Sequence, residues 1–246
     1  MNTFSPGIHD EGSQALFCNR LLGSLPANDL ENLSLQLDTV RVEVGDVLYE
    51  PGQAIPYIYF PVDSLISLLA VAEGRMTLEV GSVGREGMIG ASVALGNNLA
   101  QMRAVVQRSG NARRMKSANF YAEFSKTQSL QRLLYRYTDS LLAQAIQIAV
   151  CSRFHVLEAR LARSLLITRD RLGSEKFHLT HEFLAHALGV RRVGVTKAAC
   201  ALQQQKLINY SRGNIEILDS SGLEAVSCHC YGLVRDHGMS NLASAF

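Results

Sequence analysis

Arg191, Arg192, Thr196 and Lys197 stand within seven residues of one another, just behind Gly189. Their chemistry suits a polyanion. An arginine fork matches O6 and N7 of guanine in the major groove, while threonine and lysine take a base edge or a phosphate. The frame around them reads as two short helices. Thr180 can cap the first, Glu182 sits favourably in its first turn, Leu184, Ala187 and Leu188 form its inward face, and Ala185 is small enough for a close helix crossing. Gly189 supplies the positive φ that stops this helix and turns the chain sharply. The second helix is predicted over residues 191–203, with Val195, Ala198, Ala199 and Leu202 inward and Arg192, Val193, Thr196 and Lys197 outward. No Ser, Thr, Asp or Asn caps it. Gly194 inside it costs about 1 kcal/mol relative to Ala, and a phosphate at its N-terminus would offset part of this.

Beyond these helices, Leu207–Tyr210 and Ile215–Leu218 flank Ser211-Arg212-Gly213-Asn214 and read as a β-hairpin with Arg212 at its tip. Helix, turn, helix and wing together predict a DNA-reading domain. The contacts expected with double-stranded DNA are Thr180, Arg191, Arg192, Val193, Thr196, Lys197 and Arg212.

Other constellations are weaker. Cys228-His229-Cys230 offers three ligand types in a row, but no second pair at zinc-like spacing is evident, so no metal site is expected. His181 and His186 are five apart and share no helix face. Gly84-Arg85-Glu86-Gly87 lacks the Lys-Ser/Thr of a phosphate loop and the spacing of a dinucleotide loop. No Gly-x-Ser-x-Gly and no nucleophile with a recognisable base occurs, so an enzyme is not expected.

The elements that carry the reading head follow from periodicity. Over Val40–Met115, β-branched and aromatic runs such as 40–44, 57–60 and 76–80 alternate with turn signals at Gly45-Asp46, Pro51-Gly52, Pro61-Val62-Asp63, Glu73-Gly74 and 81–90. That spacing predicts an antiparallel β-roll of jelly-roll type. From Ser129 to Arg169 Gly and Pro are absent. Leu134, Leu141, Ile148 and His155 recur every seven residues, with Tyr137 alongside. This lays an apolar stripe along one long helix, expected to pair with a second copy of the chain through Leu134, Tyr137, Leu141 and Ile148; the alternative is a helix packed on its own domain. Arg103, Arg108, Arg113, Arg114 and Lys116 form a basic run that reads as a solvated face; an anionic effector or RNA polymerase is its alternative use.

Composition sets the bounds. Of 246 residues, 47% are apolar and 19% charged, enough for a sizeable core. Net charge is −2 over residues 1–150 and +4 over residues 151–246, placing the basic excess with the predicted reading head. The five cysteines are odd in number and scattered, which argues for a reducing compartment rather than a disulfide framework. No run approaches the ~20 apolar residues of a membrane helix. Met1–Gly12 carries no positive or apolar leader features. A cytoplasmic protein without membrane contact is expected.

Across about residues 20–230 the chain resembles the Crp/Fnr family of transcription regulators. The stretches that carry the likeness are Val44–Gly52, Val83–Gly90 and Leu184–Leu207. The resemblance implies an α+β fold: a cyclic-nucleotide-binding-type roll, a dimerisation helix and a winged helix-turn-helix. The family's recognition helix uses Arg, an acidic residue and Arg; the matching positions here are Arg192, Val193 and Lys197, so the middle one departs. In nucleotide-binding members a Gly-Glu pair holds the ribose and an Arg-Ser/Thr pair the cyclic phosphate. These align with Gly90-Ala91 and Gln101-Met102, with Arg103 nearby. Carboxylate, cation and hydroxyl are missing from a site that must bury a phosphate, so cyclic AMP and cyclic GMP are not expected as cofactors. The family's iron–sulfur sensors need a cysteine cluster near the N-terminus; only Cys18 lies there.

The organisation expected is an N-terminal tail over 1–19, a roll over 20–127, a dimerisation helix over 128–158, a winged domain over 159–232 and a tail over 233–246. The function expected is homodimeric reading of a pseudo-palindrome with an unknown effector. The alternative is a cyclic-nucleotide sensor whose C-terminal domain binds a protein.

Overall fold

The structure, a computed structural model, describes residues 19–72 and 76–233. Cys18, the Glu73-Gly74 turn and nearly all of both expected tails lie outside the described residues.

Two short helices, α1 (Arg20–Gly23) and α2 (Ala27–Ser34), lead into the roll. Asn19 caps α1, accepting from the Leu22 amide at 3.0 Å, and its buried side chain donates to the carbonyls of Pro61 and Gly87. The roll strands are β1 (Asp38–Val42), β2 (Val47–Tyr49), β3 (Tyr57–Pro61), β4 (Leu65–Val71), β5 (Thr77–Val83), β6 (Arg103–Arg108) and β7 (Gly110–Lys116). They form two antiparallel sheets, β1-β7-β3 and β2-β6-β4-β5. β5 runs on through Gly81 to Val83, so the turn expected at 81–90 begins only at Gly84.

The basic run is a solvated face only in part: on β6 and β7, Arg108 and Lys116 are exposed while Arg113 is buried. Its guanidinium donates to Thr39 Oγ1 at 2.7 Å and to the Leu37 carbonyl at 2.9 Å. Arg114 lies over the Tyr57 ring and Arg103 pairs with Glu50 at 2.8 Å.

Helix α3 (Ser117–Lys126) passes into α4 (Gln128–Phe154), the long helix. Its period is as expected but its partner is not. Leu134 and Tyr137 are buried in the roll's own core, Leu141 packs beside them, and Ile148 is buried as well. The Tyr137 hydroxyl accepts from the Met88 amide at 3.0 Å and donates to the Met88 carbonyl at 2.9 Å. The stripe assigned to a partner is thus covered by the chain itself. A different apolar line, Tyr135, Leu142, Ile146 and Val150, faces outward.

The helix ends at Phe154 rather than 158, because His155 and Val156 are extended. The C-terminal domain then builds from α5 (Leu157–Leu172), β8 (Lys176–His178), α6 (His181–Leu188), α7 (Arg192–Gln204), β9 (Ile208–Ser211), β10 (Asn214–Ile217) and α8 (Ser220–Val226). Its core joins Leu161, Leu165, Leu184, Val195, Leu202 and Ile217. The wing is a three-stranded sheet, β8-β10-β9; the strand β8 adds to the expected hairpin.

Candidate nucleic-acid interface

Thr180 caps α6, its hydroxyl oxygen accepting from the Phe183 amide at 3.1 Å, and so serves the helix directly. Gly189 has φ of 63° at the helix end, and a Cβ there would come within 3.3 Å of Leu78. Both the left-handed turn and the close approach require glycine. Buried Arg160 donates to the Leu188 carbonyl, placing a cation on the negative end of α6 and fixing the turn from below.

Arg191 stands at the N-cap of α7 with extended backbone and without a side-chain cap. Val195, Ala198, Ala199 and Leu202 are buried, so the opposite face presents Arg192, Val193, Thr196 and Lys197 to solvent. Val193 is 65% exposed, a large apolar side chain left uncovered on the reading face. Arg192 and Lys197 are exposed within one and a half turns of helix, which concentrates positive charge beside the helix N-terminus.

Thr196 is already engaged. Its Oγ1 lies 3.0 Å from His181 Nδ1 and donates to the Arg192 carbonyl at 3.1 Å. His181 in turn stacks on Tyr210 of the wing, centroids 4.1 Å apart and planes 12° from parallel. This ties α6, α7 and wing into one unit. Sequence reasoning missed the link because the spacing of His181 from His186 says nothing of Thr196 or of the wing. Burial, and then the neighbouring Arg192 charge, hold the imidazole's pKa below its ordinary value. At the wing's tip Arg212 and Gly213 have φ of 49° and 88°, the paired positive values of a two-residue hairpin turn. Arg212 is exposed there.

The positions aligned with a nucleotide pocket are otherwise occupied. Gly90 has φ of 93°, and a Cβ on it would meet Ile58 at 2.7 Å. Ala91 opens a 3-10 turn over Ala91–Leu95, Gln101 is exposed, Met102 packs against the roll core, and Arg103 is taken by Glu50.

Residues 159–226 match the model of the Crp-like helix-turn-helix domain. A Crp/Fnr-family regulator from Eubacterium rectale superposes with a TM-score of 0.64 at 18% identity, covering 84% of this chain and 96% of that one. FixK2 from Bradyrhizobium japonicum gives 0.69 at 14% identity, over 78% and 98%. A Crp/Fnr-family transcriptional regulator from Thermus thermophilus gives 0.63 at 23% identity, over 77% and 98%. No curated protein matches the sequence. Roll, long helix and winged reading head, in that order, are the fold of these Crp/Fnr regulators, and residues 159–226 match a Crp-like helix-turn-helix domain.

Among the described residues, no helix is long and apolar enough to cross a membrane.

Proposed function

We propose that two copies of this chain read a pseudo-palindromic DNA site, one α7 in each of two successive major grooves about one helical turn apart. The observation that carries this is the outward face of α7, where Arg192 and Lys197 flank an exposed Val193 on a helix with an open N-terminus. Arg192 supplies the guanine fork, Val193 an apolar surface for a thymine methyl, and Arg191, Lys197 and Arg212 the phosphate contacts. Thr180 and Thr196 position these groups through the cap and the His181 link.

The two copies associate through Tyr135, Leu142, Ile146 and Val150 of α4, the apolar line that the chain leaves exposed. The effector is neither cyclic AMP nor cyclic GMP. Support comes from Gly90 pressed against Ile58, the absent carboxylate at Ala91, and an Arg103 already paired with Glu50. The protein acts in the cytoplasm, where its DNA is.

Arg192→Ala tests the reading. Specific affinity is expected to fall by roughly 1–3 kcal/mol at one base position while nonspecific affinity changes far less. Equal losses on operator and random DNA, measured by footprinting and anisotropy at fixed salt, would remove Arg192 from base readout.

A further inference from the structure

Cys151 and His155 are four residues apart near the end of α4, which places them on one side of the chain as it leaves the helix. Cys228 and Cys230 return to that side from beyond α8. The four donor atoms all lie within 4.8 Å of one another. Cys151 Sγ is 3.4 Å from Cys228 Sγ, and Cys230 Sγ is 3.4 Å from His155 Nδ1. The three cysteines are buried and the histidine is half-buried. Sequence spacing alone hid this set, because the second ligand pair lies 77 residues away from the first.

We propose that Cys151, His155, Cys228 and Cys230 form a tetrahedral site for one thiophilic divalent ion, of which Zn²⁺ fits best. Zinc–sulfur bonds of ~2.3 Å and zinc–nitrogen bonds of ~2.0 Å put tetrahedral ligand atoms roughly 3.5–3.8 Å apart, so the observed cluster needs only small adjustments to close on an ion. The same compactness argues against an iron–sulfur cluster, whose four ligands are divided among at least two irons. Three thiolates and a neutral imidazole give a zinc centre a net negative charge, and a buried negative centre needs a cation. Arg163 is the candidate: it is buried, and among the described residues its Nε and Nη1 have no hydrogen-bond partner. Gln147 donates to Cys230 Sγ at 2.8 Å, an outer contact of the kind that orients a ligating sulfur.

The site's place in the fold gives it a consequence. Its ligands lie on both sides of the matched domain, at the end of α4, at the extended break before α5 and just past α8. An ion there fastens the end of the winged domain to the long helix across the break.

The full chain, stripped of metal and fully reduced, is titrated with Co²⁺. The expected spectrum has the intense d–d bands of tetrahedral cobalt and a thiolate charge-transfer band, both lost on adding Zn²⁺. Elemental analysis of protein purified without chelator is expected to find one zinc per chain. Cys228→Ser and Cys230→Ser lose it, the exposed Cys200→Ser keeps it, and Gln147→Leu weakens affinity by roughly 10–100-fold with every ligand intact. Circular dichroism confirms that each variant is folded, and the cobalt spectrum of the unaltered chain depends on no variant. Weak octahedral cobalt absorption overturns the site. So does a Cys151–Cys228 disulfide in protein isolated under reductant, or zinc content indifferent to Cys228→Ser in a folded variant.

Discussion

Arg212 holds a φ of 49° at the tip of the wing. Left-handed backbone costs a non-glycine residue roughly 1–2 kcal/mol, and Asn bears it more readily. The phosphate contact proposed for Arg212 would account for an arginine in that position. Arg212→Asn is therefore expected to raise stability by up to about 1 kcal/mol in denaturant titrations. The same substitution should lower DNA affinity and reduce the slope of log affinity against log salt by about one. An unchanged slope would take Arg212 off the phosphates. His181 acts differently, because it serves the unit internally. Its folded-state pKa lies below its unfolded one, through burial first and the Arg192 charge second. The unfolded chain therefore binds the proton more tightly. The neutral ring's stabilisation is complete above the ordinary histidine pKa of ~6.5 and is lost as pH falls through that value toward the lower folded one. Thermal unfolding from about pH 8 to about pH 5 should show this decline, and His181→Phe should remove its share of it.

Helix α4 shows what a repeat in sequence says and what it omits. The seven-residue recurrence of Leu134, Leu141 and Ile148 correctly marks a covered face, since burial is what such a stripe reports. It carries no information about which surface does the covering. Here Met88 and the roll core do so, through contacts about fifty residues distant that no local pattern encodes. The same limit hid Arg113: it reads as one of a run of cations, yet the fold brings it to the Leu37 carbonyl, 76 residues away. By contrast Thr180, Gly189 and the Arg212-Gly213 turn were legible because their roles are local, a cap and two positive-φ turns. Lys176–His178 carried too little pattern in three residues to be read as a strand. Two substitutions separate the two faces of α4. Tyr137→Phe leaves the Met88 amide and carbonyl without their partner and is expected to cost about 1–3 kcal/mol while leaving association unchanged. Ile146→Glu on the exposed face should leave the fold intact and, if the proposed seam is right, convert dimer to monomer in sedimentation velocity. A dimer that survives Ile146→Glu would place the seam elsewhere.

Among the described residues the two large apolar cores lie one in the roll and one in the winged domain, and polar contacts join the two units. Arg171 of α5 donates to Glu86 at 2.9 Å and to Ser82, and Thr77 at the start of β5 donates to the His186 carbonyl at 3.2 Å. Leu78 and Gly189 meet beside that bond. A seam of this kind couples two domains without merging their cores, as expected of units able to shift relative to each other. Its strongest point is Glu86, which also accepts from the Gly84 amide at 3.1 Å. The Arg171 side chain is only 11% exposed, so losing the carboxylate leaves a nearly dry cation with its Nε unsatisfied. The pair's partial wetness, with Glu86 itself 26% exposed, moderates that penalty. Glu86→Ala is expected to cost about 1–3 kcal/mol, and the cost falls on the contact between domains rather than on either core. Calorimetry should therefore resolve the winged domain melting ahead of the roll where the unaltered chain melts more cooperatively. Glu86→Gln, which keeps an acceptor for Arg171, should lie between the two. If Glu86→Ala instead lowers the melting temperature without separating the transitions, the ion pair stabilises the roll alone and the two domains are held together by α4.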